Sequence, residues 1–188
     1  MSHPRLTHDS DDSAKPVPKP WCTAFIVVAM ALSGCADTRN TPSCDTLFKA
    51  GELREFVLEN DNVVRDSRSG LRWFRCAAGQ TIQDGLCQGD PLRLNWDQAH
   101  QFAAEFSQAS GKTWRLPTYA EMKAARQTDC QNPAYNPNAF PALPIENFWT
   151  STEQVATVGQ ACQIFSYTGH GHCRAFKRDG YLFMLLED

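Results

Sequence analysis

The chain has 188 residues, with 18 Lys plus Arg against 21 Asp plus Glu and a net charge of −3. That length suits one domain of ordinary size. A mildly acidic chain has no overall electrostatic claim on nucleic acid or polyanionic glycans, which leaves room only for a local basic patch.

Trp21 to Gly34 is an apolar run, with Phe25-Ile26-Val27-Val28-Ala29-Met30 at its centre and Lys15 and Lys19 ahead of it. It is short for a membrane span and fits the core of a signal peptide. It closes in Leu32-Ser33-Gly34-Cys35, which resembles a bacterial lipobox, where a cysteine after small residues is acylated and becomes N-terminal on cleavage. The competing reading is an ordinary signal peptide, or an uncleaved anchor, with an incidental cysteine. Leucine, small residues and cysteine together at the end of the run favour Cys35 as a lipidation site. Residues 1 to about 14, with Asp9, Asp11 and Asp12, read as an extension from a start codon placed too early. The predicted organisation is a lipoprotein signal peptide over 1–34, a lipidated cysteine and tether over 35–43, and one domain over 44–188. Cleavage removes as many cations as acids, so the charge stays at −3. The tether spans at most about 25–30 Å when fully extended. Ala36 stands where some lipoproteins carry an aspartate that retains them at the inner membrane, so the outer membrane is favoured.

Of eight cysteines, Cys22 lies in the leader and Cys35 would carry lipid. Cys44, Cys76, Cys87, Cys130, Cys162 and Cys173 remain. An even set in an exported chain reads as disulfides, and six cysteines allow fifteen pairings. No C-x-x-C occurs, which weakens a zinc reading.

Phe56-Val57-Leu58 and Val63-Val64 predict short strands. Asp66 to Gly70 is a turn, and Leu71 to Phe74 returns as the second arm of a hairpin. Residues 76–90 read as a loop that a bridge between Cys76 and Cys87 would staple. Trp96, Ala99, Phe102, Ala103 and Phe106 recur at steps of three and four and predict a helix over 95–109, capped by Asn95 with Gln98, and stopped before Gly111. Thr118-Tyr119-Ala120-Glu121 is a capping box for a second helix to about Arg126, with Leu116-Pro117 placed to pack toward Met122. Arg115 stands in apolar company and calls for a carboxylate or carbonyl partner, a structural ion pair ahead of a ligand site. Residues 127–147 form a long loop rich in proline and asparagine, a length that marks functional or stapled loops. Strands follow at 148–152, 162–167 and 173–177, then an Asp179-Gly180 hairpin turn and a last strand over 181–186. Two helices early and an antiparallel sheet late give an α+β class.

These segments together resemble the bacterial domain family named after the C-terminal domain of the Legionella collagen-like adhesin. The resemblance rests on Val64-x-Asp66-x-x-Ser69-Gly70-Leu71-x-Trp73, with serine for the usual threonine, then Arg75-Cys76-x-x-Gly79-Gln80 with Cys87, and Trp96 with Ala99. It continues through Trp114-Arg115-Leu116-Pro117-Thr118 with Glu121, then Cys130, Pro133, Ala134, Tyr135 and Asn136, Phe140-Pro141, and Phe148-Trp149-Thr150-Ser151. It covers about residues 56–186. The family's closing segment usually carries arginines, and Tyr181 to Asp188 has none. Arg115-Leu116-Pro117-Thr118 with Ala120-Glu121 is also similar to the formylglycine-generating enzymes. Both resemblances imply a C-type-lectin-like fold, and a motif common to relatives with and without catalysis reads as scaffold. Trp114, Arg115, Leu116, Pro117, Thr118, Glu121 and Trp149 are therefore taken as structural. Under the family resemblance the pairings become Cys76–Cys87 and Cys44–Cys130, since members often carry a cysteine ahead of the first hairpin, with Cys162 and Cys173 then left together. If the turn centres on Thr168, Gln163 faces Cys173, and that third pair needs a bulge.

The resemblance implies a non-enzymatic, adhesin-like module for a glycan or envelope protein, without cofactor or nucleic acid. Its best-known relative binds sulfated polysaccharide, but the acidic charge here fits a neutral glycan or protein better. Tyr135, Asn136, His170 and His172 are the candidate ligand-loop residues, although Tyr135 reads more simply as a ring that plugs its loop into the core than as one that stacks on a sugar. One alternative is a formylglycine-generating-type cysteine oxidase with Cys162 and Cys173 as a copper-binding thiol pair, against which stand their wide spacing and the short chain. Another is a metal site at His170, His172 and Cys173, reduced to two histidines if Cys173 is bridged. A purely structural envelope lipoprotein is the third. His100 reads as a helix-surface residue, and no G-x-S-x-G or phosphate-loop pattern supports catalysis.

Overall fold

The structure, a computed structural model, describes residues 41–188. Cys35, the apolar run and the leader lie outside the described residues. Ten strands and three helices follow one another as α1 (Cys44–Leu47), β1 (Phe56–Asn60), β2 (Val63–Asp66), β3 (Arg72–Phe74), β4 (Thr81–Gln83), β5 (Leu86–Gln88), α2 (Trp96–Ser110), β6 (Trp114–Arg115), α3 (Tyr119–Ala125), β7 (Asn147–Glu153), β8 (Gln160–Phe165), β9 (His170–Phe176) and β10 (Leu186–Glu187). They form a five-stranded sheet in the order β1-β2-β3-β10-β6, a β4-β5 ribbon and a three-stranded β7-β8-β9 sheet. Every strand pair is antiparallel. The α+β class is thus borne out, with short sheets and three disulfides, Cys44–Cys130, Cys76–Cys87 and Cys162–Cys173.

Both longer helices follow their caps. Asn95 accepts from the Gln98 amide and Gln98 reaches back to Asn95, and the helix ends at Gly111 in the left-handed region, φ 69°. Thr118 and Glu121 form the same reciprocal box on α3. The staple does not form as expected. Leu116 packs with Trp96 and Trp114, and Met122 packs in a separate apolar cluster with Tyr135 and Phe140. Residues 81–88 also differ from the expected loop: they make a hairpin around Asp84-Gly85, with Gly85 at φ 80°. The last three residues of the expected tether are docked on the domain, where Ser43 bridges Gln131 and the Pro42 carbonyl accepts from the Gln131 amide.

The largest departure is at 181–186. Asp179-Gly180 does not fold the chain back on β9. Instead Tyr181 pairs with Leu94, Leu182 bridges Phe148 in parallel, and Leu186 enters the five-stranded sheet between Trp73 and Arg115. Leu182 to Leu186 are all at most 1% exposed. Leu182, Met184 and Leu186 face one apolar cluster and Phe183 and Leu185 the other, the period-two alternation of extended chain. Their carbonyls are engaged as well, Leu182 by Trp149, Phe183 by Ala78 and Leu185 by Phe74. A run apolar on both faces reads like an ordinary strand in sequence, yet it is a thread through the middle of the core.

Phe183→Ala should therefore destabilise the protein by about 3–5 kcal/mol in urea unfolding. Val158→Ala, at a position 101% exposed, should stay within about 0.5 kcal/mol.

Candidate functional site

The Trp114-to-Glu121 stretch resolves into an ion pair and a cap. Arg115 donates from Nη1 and Nη2 to the two Glu121 carboxylate oxygens at 2.9 and 2.8 Å, and from Nε to Asp188 at 2.7 Å. Glu121 also accepts from the Thr118 amide and hydroxyl. The Arg115 hydrogen bonds, aided by those from Thr118, hold the Glu121 carboxyl down from its ordinary 4.5 to about 2. Arg115 and Glu121 keep 30% and 19% of their side-chain surface, and the charge of each is met by the other. Trp149 is buried and donates from Nε1 to the Leu94 carbonyl. The motif sets the start of α3, and α3 ends at Arg126.

The long loop is pinned from within. Arg75 is buried and donates to the carbonyls of Asp61, Asn138 and Ala139 at 2.8, 2.8 and 3.0 Å. Asn136, fully buried, donates to the Glu52 and Leu53 carbonyls and accepts from the amides of Asn138 and Ala139. Tyr135 is 1% exposed, packs edge-on against Phe140 and donates to the Met122 carbonyl. Burial pushes its hydroxyl pKa up. Tyr135 and Asn136 are thus the loop's internal fastening, which corrects their placement among ligand-contacting residues.

The same loop then meets the β8–β9 turn. Asn132 and Ala134 donate their amides to the carbonyls of Tyr167 and Ser166, each at 2.8 Å. This juxtaposition opens a cavity of about 480 Å³ lined by Thr41, Arg126, Gln127, Thr128, Cys130, Gln131, Tyr167, Thr168 and His170. Among the described residues no acidic side chain lines it. Arg126 Nη1 lies 2.9 Å from His170 Nε2. A guanidinium has no acceptor, so in this hydrogen bond Nε2 accepts, which leaves Nδ1 as the ring's donor. Gly169, at φ 64°, lets the arginine lie there, because a Cβ would overlap Arg126 Cγ and Cδ.

The two ligand-loop histidines part company. His170 joins Arg126, whereas His172 is exposed and its Nδ1 accepts from the Arg174 amide. Cys173 is bonded to Cys162, across a bulge in which Ala161 faces Ala175 and Gln163 faces His172. The bulge was expected, but the register is one residue short of the expected Gln163-to-Cys173 facing. Among the described residues no group of three or more His, Cys, Asp or Glu is placed to hold a metal ion. The two cysteines on which the oxidase reading depends are joined in that bridge. His100 is half-buried rather than on the helix surface, packed 4.1 Å from Trp96, and burial lowers its pKa. Arg126 was the missed residue. Its signal was weak, an arginine at a helix end ahead of a long loop.

The family model of the Lcl C-terminal domain matches residues 62–185, about two thirds of the chain. The chain belongs to the Lcl C-terminal domain family. Neither a curated protein nor a solved structure matches it. All residues lining the cavity except Thr41 lie inside the part that matches the Lcl C-terminal domain.

Two outcomes follow for this Lcl C-terminal domain. The depressed Glu121 pKa contributes stability that is full above about pH 4.5 and is lost as the pH falls toward 2, so Glu121→Gln should flatten the acid limb of a stability profile over that window. Gly169→Ala should cost about 1 kcal/mol for its positive φ and displace Arg126 from His170. Imidazole ¹⁵N shifts of His170 would report that displacement.

Proposed function

We propose that the chain is a lipid-anchored binding module of the bacterial envelope, adhesin-like in role and without catalytic activity, on a C-type-lectin-like fold. Its ligand site is the Arg126–His170 cavity. The observation that carries this reading is the cavity itself: two loops, each fastened by its own hydrogen bonds or disulfide, meet around a cation that no carboxylate neutralises. Preformed concave sites of this volume take ligands the size of one or two sugar rings. Membership of the Lcl C-terminal domain family supports the adhesin-like role, and the short sheets flanked by α2 and α3 with stapled loops support the lectin-like fold. The lipobox-like Leu32-Ser33-Gly34-Cys35 supports the anchor, with the outer membrane favoured by Ala36. The partner is a glycan or an envelope protein.

A glycan array probed with the oxidised domain, residues 36–188, at physiological salt tests this. Selective binding that Arg126→Gln abolishes is the expected result. No glycan binding, together with capture of an envelope protein by the lipidated chain, would move the assignment to a protein partner.

A further inference from the structure

Six of the ten arginines among the described residues are paired with carboxylates. Arg54, Arg65, Arg68, Arg72, Arg93 and Arg115 each have a carboxylate oxygen within 3.3 Å. Arg75 has three carbonyls. Among the described residues, Arg126, Arg174 and Arg178 have no such ion pair. Arg174 and Arg178 are exposed on and beside β9, where water solvates them. Arg126 is half-buried in a cavity with no acidic wall among the described residues, and its side-chain hydrogen bond goes to the His170 ring, which brings no negative charge. A cation withdrawn from water without a counter-charge is an incomplete pair.

We infer that the cavity takes a sugar bearing a single carboxylate, a uronic-acid type of ring, with Arg126 as its counter-ion. This deepens the glycan reading above and rests on it. Charge sets the first constraint. One fixed cation balances one negative charge, so a phosphate monoester would carry an uncompensated charge, and a densely charged polymer would find too little to pair with. Acceptor strength sets the second. The remaining Arg126 donors, the His170 Nδ1–H and the hydroxyls of Thr128 and Thr168 are hydrogen-bond donors that reward the basic oxygens of a carboxylate over the weaker acceptors of a sulfate ester. Shape sets the third. The Tyr167 ring lies nearly parallel to Phe165, at 15° with centroids 6.0 Å apart, and Phe165 is 39% exposed. Of the two, Tyr167 lines the cavity, and an aromatic ring there suits the C–H face of a pyranose, which puts the sugar against Tyr167 and its acid toward the arginine.

The test is calorimetry on the full chain, purified in detergent under oxidising conditions, with the methyl glycoside of galacturonic acid, its methyl ester and galactose 6-sulfate as probes. The acid should bind, and the ester, one methyl group larger and uncharged, should bind at least about tenfold more weakly. Arg126→Gln should weaken the acid by about tenfold or more with an unchanged melting temperature, while Arg174→Gln stays within about twofold. Equal binding of acid and ester would overturn the carboxylate inference and leave the glycan site standing. Equal binding of the sulfate would overturn it in favour of charge alone. Affinity for the acid unchanged in Arg126→Gln, or no binding of the acid at all, would overturn it as well. The first of these would also remove the cavity as the glycan site, and the second would leave that site to the array.

Discussion

A single buried thread, Leu182 to Leu186, divides the interior and joins its parts. Its alternate side chains supply two apolar clusters, one gathered on Phe140, Tyr135 and Phe148, the other on Trp96, Trp114 and Trp149. Its backbone is bonded to Phe74 and Ala78 on one side and to Asn147 and Trp149 on the other. The five-stranded and three-stranded sheets therefore share this segment. A buried peptide group must find a partner, and here the partners come from both sheets. In the five-stranded sheet the thread supplies the strand between β3 and β6, and beside the three-stranded sheet it bridges Phe148 of β7.

The site depends on that core at one remove. The Arg115–Glu121 pair fixes where α3 begins, and the helix, seven residues long, fixes where Arg126 leaves it. Buried Arg75 and Asn136 hold the long loop by its backbone, with no regular structure. Arginines in this domain thus serve three ends that differ only in what faces them: a carboxylate, a set of carbonyls, or an open cavity.

Periodicity and caps made α2, α3 and the first hairpin legible in the sequence, because Asn95, Thr118 and Gly70 act within a few residues of their own positions. The capping box even placed Glu121 correctly, although its second duty toward Arg115 depends on β6 lying alongside β10. What was not legible depended on distant partners. Leu182 to Leu186 alternates nothing polar, so period alone does not separate a two-sided thread from a hairpin arm. Asp84-Gly85 is a hairpin signal, but its arms are three residues each, too short to show strand alternation. Asn136 reads as a candidate ligand-loop residue in the sequence because its burial is created by the distant carbonyls of Glu52 and Leu53. Arg126 gained its meaning only when residues 132–134 bonded to the turn at 166–167.

The bond between Cys44 and Cys130 spans 86 residues of sequence, and Thr41 to Ser43 lie against Gln131 beside it. Any tension arriving through the segment ahead of Thr41 therefore crosses covalently to the wall of the Arg126 cavity. The strands between the two cysteines lie off that line of load. On the lipid-anchored reading proposed above, a pull from the membrane would reach the cavity edge through this bond without first passing along the strands between the two cysteines.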